Sequence, residues 1–225
     1  MHSDMKDIEI SNQGQRRDFI VFATTLVALG IPGLSAAQDK TLTILVLGDS
    51  LSAEYGLRRG AGWVALMGER LEQSKTAVNL VNASISGETS SGGRSRLPDL
   101  LQRHQPDVVI IELGANDALR GLPLTQTQNN LQAMAQASKQ LGARVVLVGM
   151  QVPPNYGRDY NQRFSKLFKD VAKAEKIALV PFMLKGVADV PDSGKFFQAD
   201  RIHPNERAHP TILSNIWSEV EKLIR

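Results

Sequence analysis

From Thr41 onward the chain alternates short apolar runs with stretches that carry apolar residues at three- and four-residue steps. The runs are Thr41–Leu47 (TLTILVL), Val78–Val81, Asp107–Leu113 (DVVIIEL), Ala143–Val148 and Ile177–Pro181. Apolar runs of this length, bounded by turn residues, read as buried strands. The stretches between and after them are Trp63–Gln73, Arg94–His104, Thr125–Leu141, Asp159–Lys176 and Asn205–Ile224. Their spacing predicts amphipathic helices, the last tolerating Pro210 only near its first turn. Strands that alternate with helices and are apolar on both faces imply a parallel sheet covered on both sides. Right-handed crossovers then favour the flavodoxin-like order 2-1-3-4-5. The predicted fold is an α/β three-layer sandwich with a five-stranded parallel sheet. No repeat, low-complexity tract or linker interrupts it, so residues 38–225 read as one domain.

The first 37 residues follow other rules. A polar stretch leads to Arg16-Arg17, then to Phe19–Leu34 without a charge, then to Ser35-Ala36-Ala37. A basic start, a short apolar core and a small-residue ending form the layout of a cleavable export signal. The arginine pair ahead of a modestly apolar segment is similar to a twin-arginine signal. The apolar core falls short of the ~20 residues a permanent span needs. The mature chain is therefore expected to be periplasmic or secreted, without a membrane span. The absence of cysteine excludes disulfides, thiolate nucleophiles and Cys-bound metals. A formal charge of +3 is too small to imply a polyanion, so no nucleic-acid partner is expected.

In a doubly wound sheet ligands bind beyond the carboxyl ends of the strands. Gly48-Asp49-Ser50-Leu51-Ser52 follows the first strand. A serine there can point into the crevice, and it becomes a nucleophile once an oriented histidine takes its proton. As a plain turn, the same residues would only satisfy backbone groups. The loop after the second strand, Asn82 to Gly93, is glycine- and serine-rich but lacks the Gly-Lys-Ser/Thr ending of a phosphate loop. After the third strand, the Asn116 carboxamide could donate to an oxyanion, or Asn116-Asp117 could be an ordinary turn. Before the final helix, Asp200 precedes His203 by three residues, close enough to orient the imidazole.

Together, GDSLS (48–52), Gly87 within NASISGETS (82–90), GANDALRG (114–121) and DRIHPN (200–205) resemble the four blocks of the SGNH (GDSL-type) hydrolase family. Further likeness, in QSKTAVNLVNASISGETS, ELGANDALRGLP and PPNYGRDYN, points to its bacterial thioesterase, lysophospholipase and arylesterase group. The resemblance implies a serine hydrolase acting on carboxylic esters and thioesters through an acyl-enzyme. Ser50 would be the nucleophile, His203 the general base and acid, and Asp200 its orienting carboxylate. The oxyanion hole would comprise the backbone N–H groups of Ser50 and Gly87 and the Asn116 side chain. By resemblance the acyl chain lies along a mobile Ala118–Pro123 loop, with Leu119, and along Val152-Pro153. No cofactor or metal is implied, and relatives suggest a monomer. GAND stands where this group often has GGND, and Glu88 where it often has Asp, which bears on substrate fit.

Other conspicuous residues are expected to be structural. His104 should complement a helix dipole, and His209, six residues after His203, does not make a metal face. Asp49 is expected to hold backbone amides, and Glu112 could pair with Arg120 or Arg94. Arg58-Arg59 reads as a solvated pair. A carbohydrate acetylesterase of the same family is the second functional reading, and a non-catalytic lipid or glycan binder the third.

Overall fold

The structure, a computed structural model, describes residues 41–74 and 77–225. The expected export segment, residues 1–37, lies outside the described residues. Five strands, β1 (Leu42–Gly48), β2 (Val78–Asn82), β3 (Val108–Glu112), β4 (Arg144–Val148) and β5 (Ala178–Val180), form one sheet. Every pairing is parallel and the order is β2-β1-β3-β4-β5, as the crossover rule predicts. β1 and β3 sit inside the sheet, and Ile44–Leu47 and Val108–Ile111 are fully buried. That burial on both faces is why their sequences run apolar without alternation.

Helices α1 (Trp63–Gln73) and α6 (His209–Ile224) pack together, as do α2 (Ser90–His104), α4 (Leu124–Gln140) and α5 (Arg158–Glu175). α5 turns Phe164, Leu167, Phe168 and Val171 inward, with Phe164 and Phe168 in an edge-to-face contact 5.2 Å between centroids. Each such side chain removed from water contributes ~1.5–3 kcal/mol.

Three local differences from the sequence reading have identifiable causes. α2 begins four residues before the expected Arg94, capped by Thr89, whose side chain accepts from the Gly92 N–H. Gly92-Gly93 argued against a helix on propensity, yet Gly93 allows α2 to meet the sheet. A Cβ there would lie 2.3 Å from Leu113 Cδ1. The expected turn after β3 is a short helix, α3 (Ala115–Leu119), so the supposed Ala118–Pro123 loop begins inside it. α6 starts at His209 with Pro210 in its first turn, and Asn205 caps a separate 3-10 turn, Glu206–Ala208, ahead of it.

Candidate active site

In this order the winding reverses at β1 and β3, which opens a crevice between the loops that follow them. The register pairs Gly48 with Glu112, so Ser50 and Asn116, just beyond those residues, enter the crevice side by side. Gly87 comes from the neighbouring β2 loop. Its φ of +78° is readily adopted only by glycine, and its carbonyl accepts from Arg120 Nη2 at 2.8 Å.

Across the crevice, His203 Nε2 lies 2.9 Å from Ser50 Oγ, and His203 Nδ1 lies 2.7 Å from Asp200 Oδ2. The Asp200 carboxylate also accepts the backbone N–H groups of Ile202 and His203 through Oδ1. Burial works to raise its pKa. The hydrogen bonds from the His203 ring and from these backbone groups outweigh it and hold the carboxyl at about 2. Tyr55 packs its ring on the imidazole, 4.4 Å between centroids. The three polar side chains expected from sequence therefore form one hydrogen-bonded line, ordered carboxylate, imidazole, hydroxyl.

Asn116 lines the same cleft as Ser50, but its amide is already engaged. Nδ2 donates to Asp49 Oδ2 at 2.9 Å and to the Glu88 carbonyl at 3.0 Å. Asp49 thus does more than hold backbone. One oxygen accepts the Leu51 N–H and the other anchors Asn116. The backbone N–H groups of Ser50 and Gly87 donate to no acceptor among the described residues.

Glu112 corrects the expectation that it pairs with Arg120 or Arg94. It is buried beneath the turn that carries Ser50, accepting from Ser52 Oγ at 2.7 Å and from the Asp49 N–H at 3.3 Å. Trp63 Nε1 donates in turn to Ser52 Oγ. Arg94 reaches Asn130 instead, and Arg120 holds Gly87. The parallel register explains this, because Glu112 ends β3 next to Gly48 while Arg120 lies beyond α3. Burial raises the Asp49 carboxyl to about 6. Burial, and then the neighbouring Asp49 charge, pushes Glu112 well above its ordinary range.

Asp117 was not anticipated. Buried on α3, it accepts the Ser90 backbone N–H at 2.8 Å, the Ser90 hydroxyl, and Thr127 Oγ1 at 3.3 Å. It ties the start of α2 to α4 and so fixes the loop that carries Gly87 against the helix that carries Asn116. No local signal marks it, because its partners Ser90 and Thr127 lie on other helices and α3 is too short to show a helical period.

The cleft beside Ser50 has a volume of about 1070 Å³. Leu119, Val152 and Pro153 line it. The second wall, with Phe182, Leu184, Phe197, Arg201 and Ile202, was missed, although the rule of reading past each strand end applied equally after β5. Among the described residues, no group of three or more His, Asp and Glu side chains is placed to hold a metal ion. His209 is buried, and its Nδ1 accepts the Trp63 N–H at 3.0 Å. His104 closes α2, and Arg58 forms an exposed pair with Glu206.

Among curated proteins, the chain is 48% identical over 191 residues to "Esterase TesA" of Pseudomonas aeruginosa, covering 85% of this chain and 94% of that one. It is 43% identical over 190 residues to "Thioesterase 1/protease 1/lysophospholipase L1" of Escherichia coli K12, covering 84% and 87%. The crystal structure of the psychrotrophic esterase EstA from Pseudoalteromonas sp., inhibited by monoethylphosphonate, superposes with a TM-score of 0.74 at 39% identity, over 80% of this chain and 97% of EstA. Residues 46–210 match the profile of the GDSL-like Lipase/Acylhydrolase family. The chain belongs to that family and is an ester-hydrolysing enzyme.

Proposed function

We propose that the chain is a serine esterase and thioesterase for fatty-acyl substrates, working through an acyl-enzyme. The observation that carries this reading is the 2.9 Å contact between Ser50 Oγ and His203 Nε2, backed by Asp200 at 2.7 Å. His203 takes the hydroxyl proton as Ser50 attacks the carbonyl, and returns it to the departing alcohol or thiol. Asp200 keeps the imidazole in the tautomer that leaves Nε2 free to accept. The carbonyl oxygen, as it gains charge, is received by the Ser50 and Gly87 N–H groups and by Asn116. The Asn116 amide keeps its Glu88 anchor and turns its second N–H from Asp49 toward the oxygen. A water molecule then releases the acyl group along the same path.

The apolar side chains of Leu119, Met150, Val152, Phe182 and Leu184 along the cleft support an acyl chain over a short acetate. Relatives named esterase and thioesterase/lysophospholipase support the same range. Residues 1–37 are proposed to export the enzyme to the periplasm or beyond.

Ser50→Ala should fold normally and lose at least ~10³-fold in kcat on p-nitrophenyl octanoate. An alkyl phosphonate ester should add its phosphonyl group to the tryptic peptide containing Ser50, and to no other. Full activity in a folded Ser50→Ala variant would refute serine catalysis. Faster cleavage of acetyl than octanoyl esters would transfer the assignment to carbohydrate acetylesterases.

A further inference from the structure

Five non-glycine residues among those described adopt left-handed backbone: Glu54, Gln105, Lys176, Asp192 and Arg201. Four have a local reason. Gln105 and Lys176 are the C-caps of α2 and α5, where this conformation is common. The Glu54 carboxylate folds back onto the N–H groups of Gly60 and Gly62. Asp192 carries the short polar side chain that tolerates the region, and it leads into a 3-10 turn.

Arg201, with φ at +58°, has no such reason. It caps no helix, and its guanidinium makes no hydrogen bond or ion pair with a described residue. Only its backbone N–H is engaged, donating to Gln198 O at 2.9 Å. The turn itself is needed, because it lets Asp200 Oδ1 receive both Ile202 N–H and His203 N–H. Glycine would make that turn without strain. The need for the turn therefore accounts for the backbone and leaves the side chain unexplained. A side chain kept at a position where it strains the backbone, when glycine would not, points to a task for that side chain.

The position suggests the task. Arg201 is exposed and lines the cleft, where the other ionisable lining residues are Asp49, Asp189 and His203. It is thus the one permanent cation among the described lining residues, two positions from the imidazole facing Ser50. A leaving group that takes its proton from His203 Nε2 departs on that side. A guanidinium offers a planar fork of donors that matches phosphate oxygens.

We propose that Arg201 is a specificity-determining residue that binds the phosphate of a phosphate-bearing leaving group, whether alcohol or thiol. This rests on the serine-hydrolase reading above and adds the class of group that is expelled. Two substrates share that chemistry: a lysophospholipid, whose alcohol carries a phosphodiester, and an acyl thioester of a phosphorylated thiol carrier.

The test compares kcat/KM for octanoyl-CoA, 1-octanoyl lysophosphatidylcholine and p-nitrophenyl octanoate in wild type, Arg201→Gly and Arg201→Lys. Arg201→Gly should lower the ratio of phosphate-bearing to phosphate-free substrate about fivefold, mostly through KM, while its melting temperature stays equal or rises. Arg201→Lys should keep part of the ratio, because the charge survives without the fork. Added salt should lower the wild-type ratio and leave that of Arg201→Gly in place. A fall for octanoyl-CoA alone assigns the phosphorylated thiol. A fall for the lysolipid alone assigns the phosphodiester, and a fall for both supports phosphate recognition in general. An equal ratio in wild type and Arg201→Gly overturns the inference. Retention of all three activities by Ser50→Ala would instead overturn the serine reading and leave the Arg201 ratio to be judged separately.

Discussion

Beneath Ser50, Asp49 and Glu112 bring two buried carboxyls into one network with Ser52 and Trp63. Both have pKa values raised by burial, Asp49 to about 6 and Glu112 well above its usual range. An acid whose folded pKa is raised favours folding while it stays protonated. Its contribution is complete below the unfolded value, ~4 for these groups, and is lost as pH rises through the folded value. Stability should therefore decline as pH rises above ~4, the share of Asp49 being lost by about pH 6 and that of Glu112 continuing to fall beyond it. Glu112→Gln keeps an acceptor for Ser52 and presents an N–H toward Asp49 without a charge to bury. Its melting temperature relative to wild type should climb steadily between pH 5 and pH 8, measured by calorimetry. A difference that does not vary with pH would show that Glu112 carries no titration of this kind. The sequence showed a carboxylate at this strand end but not its partner. Its neighbours are set by the register of β3 against β1, and spacing to an arginine along the chain carries no information about that.

At the scale of elements, two glycines within helices test packing against propensity. Gly to Ala inside a helix gains up to ~1 kcal/mol from propensity. At Gly68 in α1 the new Cβ would lie 3.5 Å from Leu80 Cδ2, an ordinary contact, so the gain should be realised. At Gly93 in α2 it would lie 2.3 Å from Leu113 Cδ1, within a core where Leu113 is buried and cannot easily retreat. Overpacking of that kind costs ~1–3 kcal/mol, which exceeds the propensity gain. Thermal melts should move up for Gly68→Ala and down for Gly93→Ala, by ~2–4 °C per kcal/mol in a chain of this size. Movement of both in one direction would refute the packing argument. The same glycine hid the start of α2 from the sequence, since propensity reads Gly93 as a breaker while the sheet contact requires it. The strands were legible because β1 and β3 are buried on both faces and their residues are uniformly apolar. α3 was not, because five residues are too few to show a helical period. The wall from Phe182 to Ile202 has no amphipathic pattern of its own, and only its place after β5 marks it.

For the molecule as a whole, the sheet, the buried core and all of the proposed catalytic groups fall within residues 41–225. β1 is a central strand that begins at Leu42, so the domain needs its chain from there onward. Residues 38–225 expressed alone should therefore give a soluble esterase with the kcat on p-nitrophenyl octanoate and the melting temperature of the enzyme produced from the full chain. An insoluble or inactive product would mean that the first 37 residues take part in the fold. The proposed export role of residues 1–37 is tested separately in the full chain. Arg16-Arg17→Lys-Lys should leave esterase activity in the cytoplasmic fraction, because a twin-arginine signal depends on the pair and not on charge alone. Unchanged secretion of that variant would reject the twin-arginine route. The two experiments separate a segment that carries the enzyme from one that helps to build it.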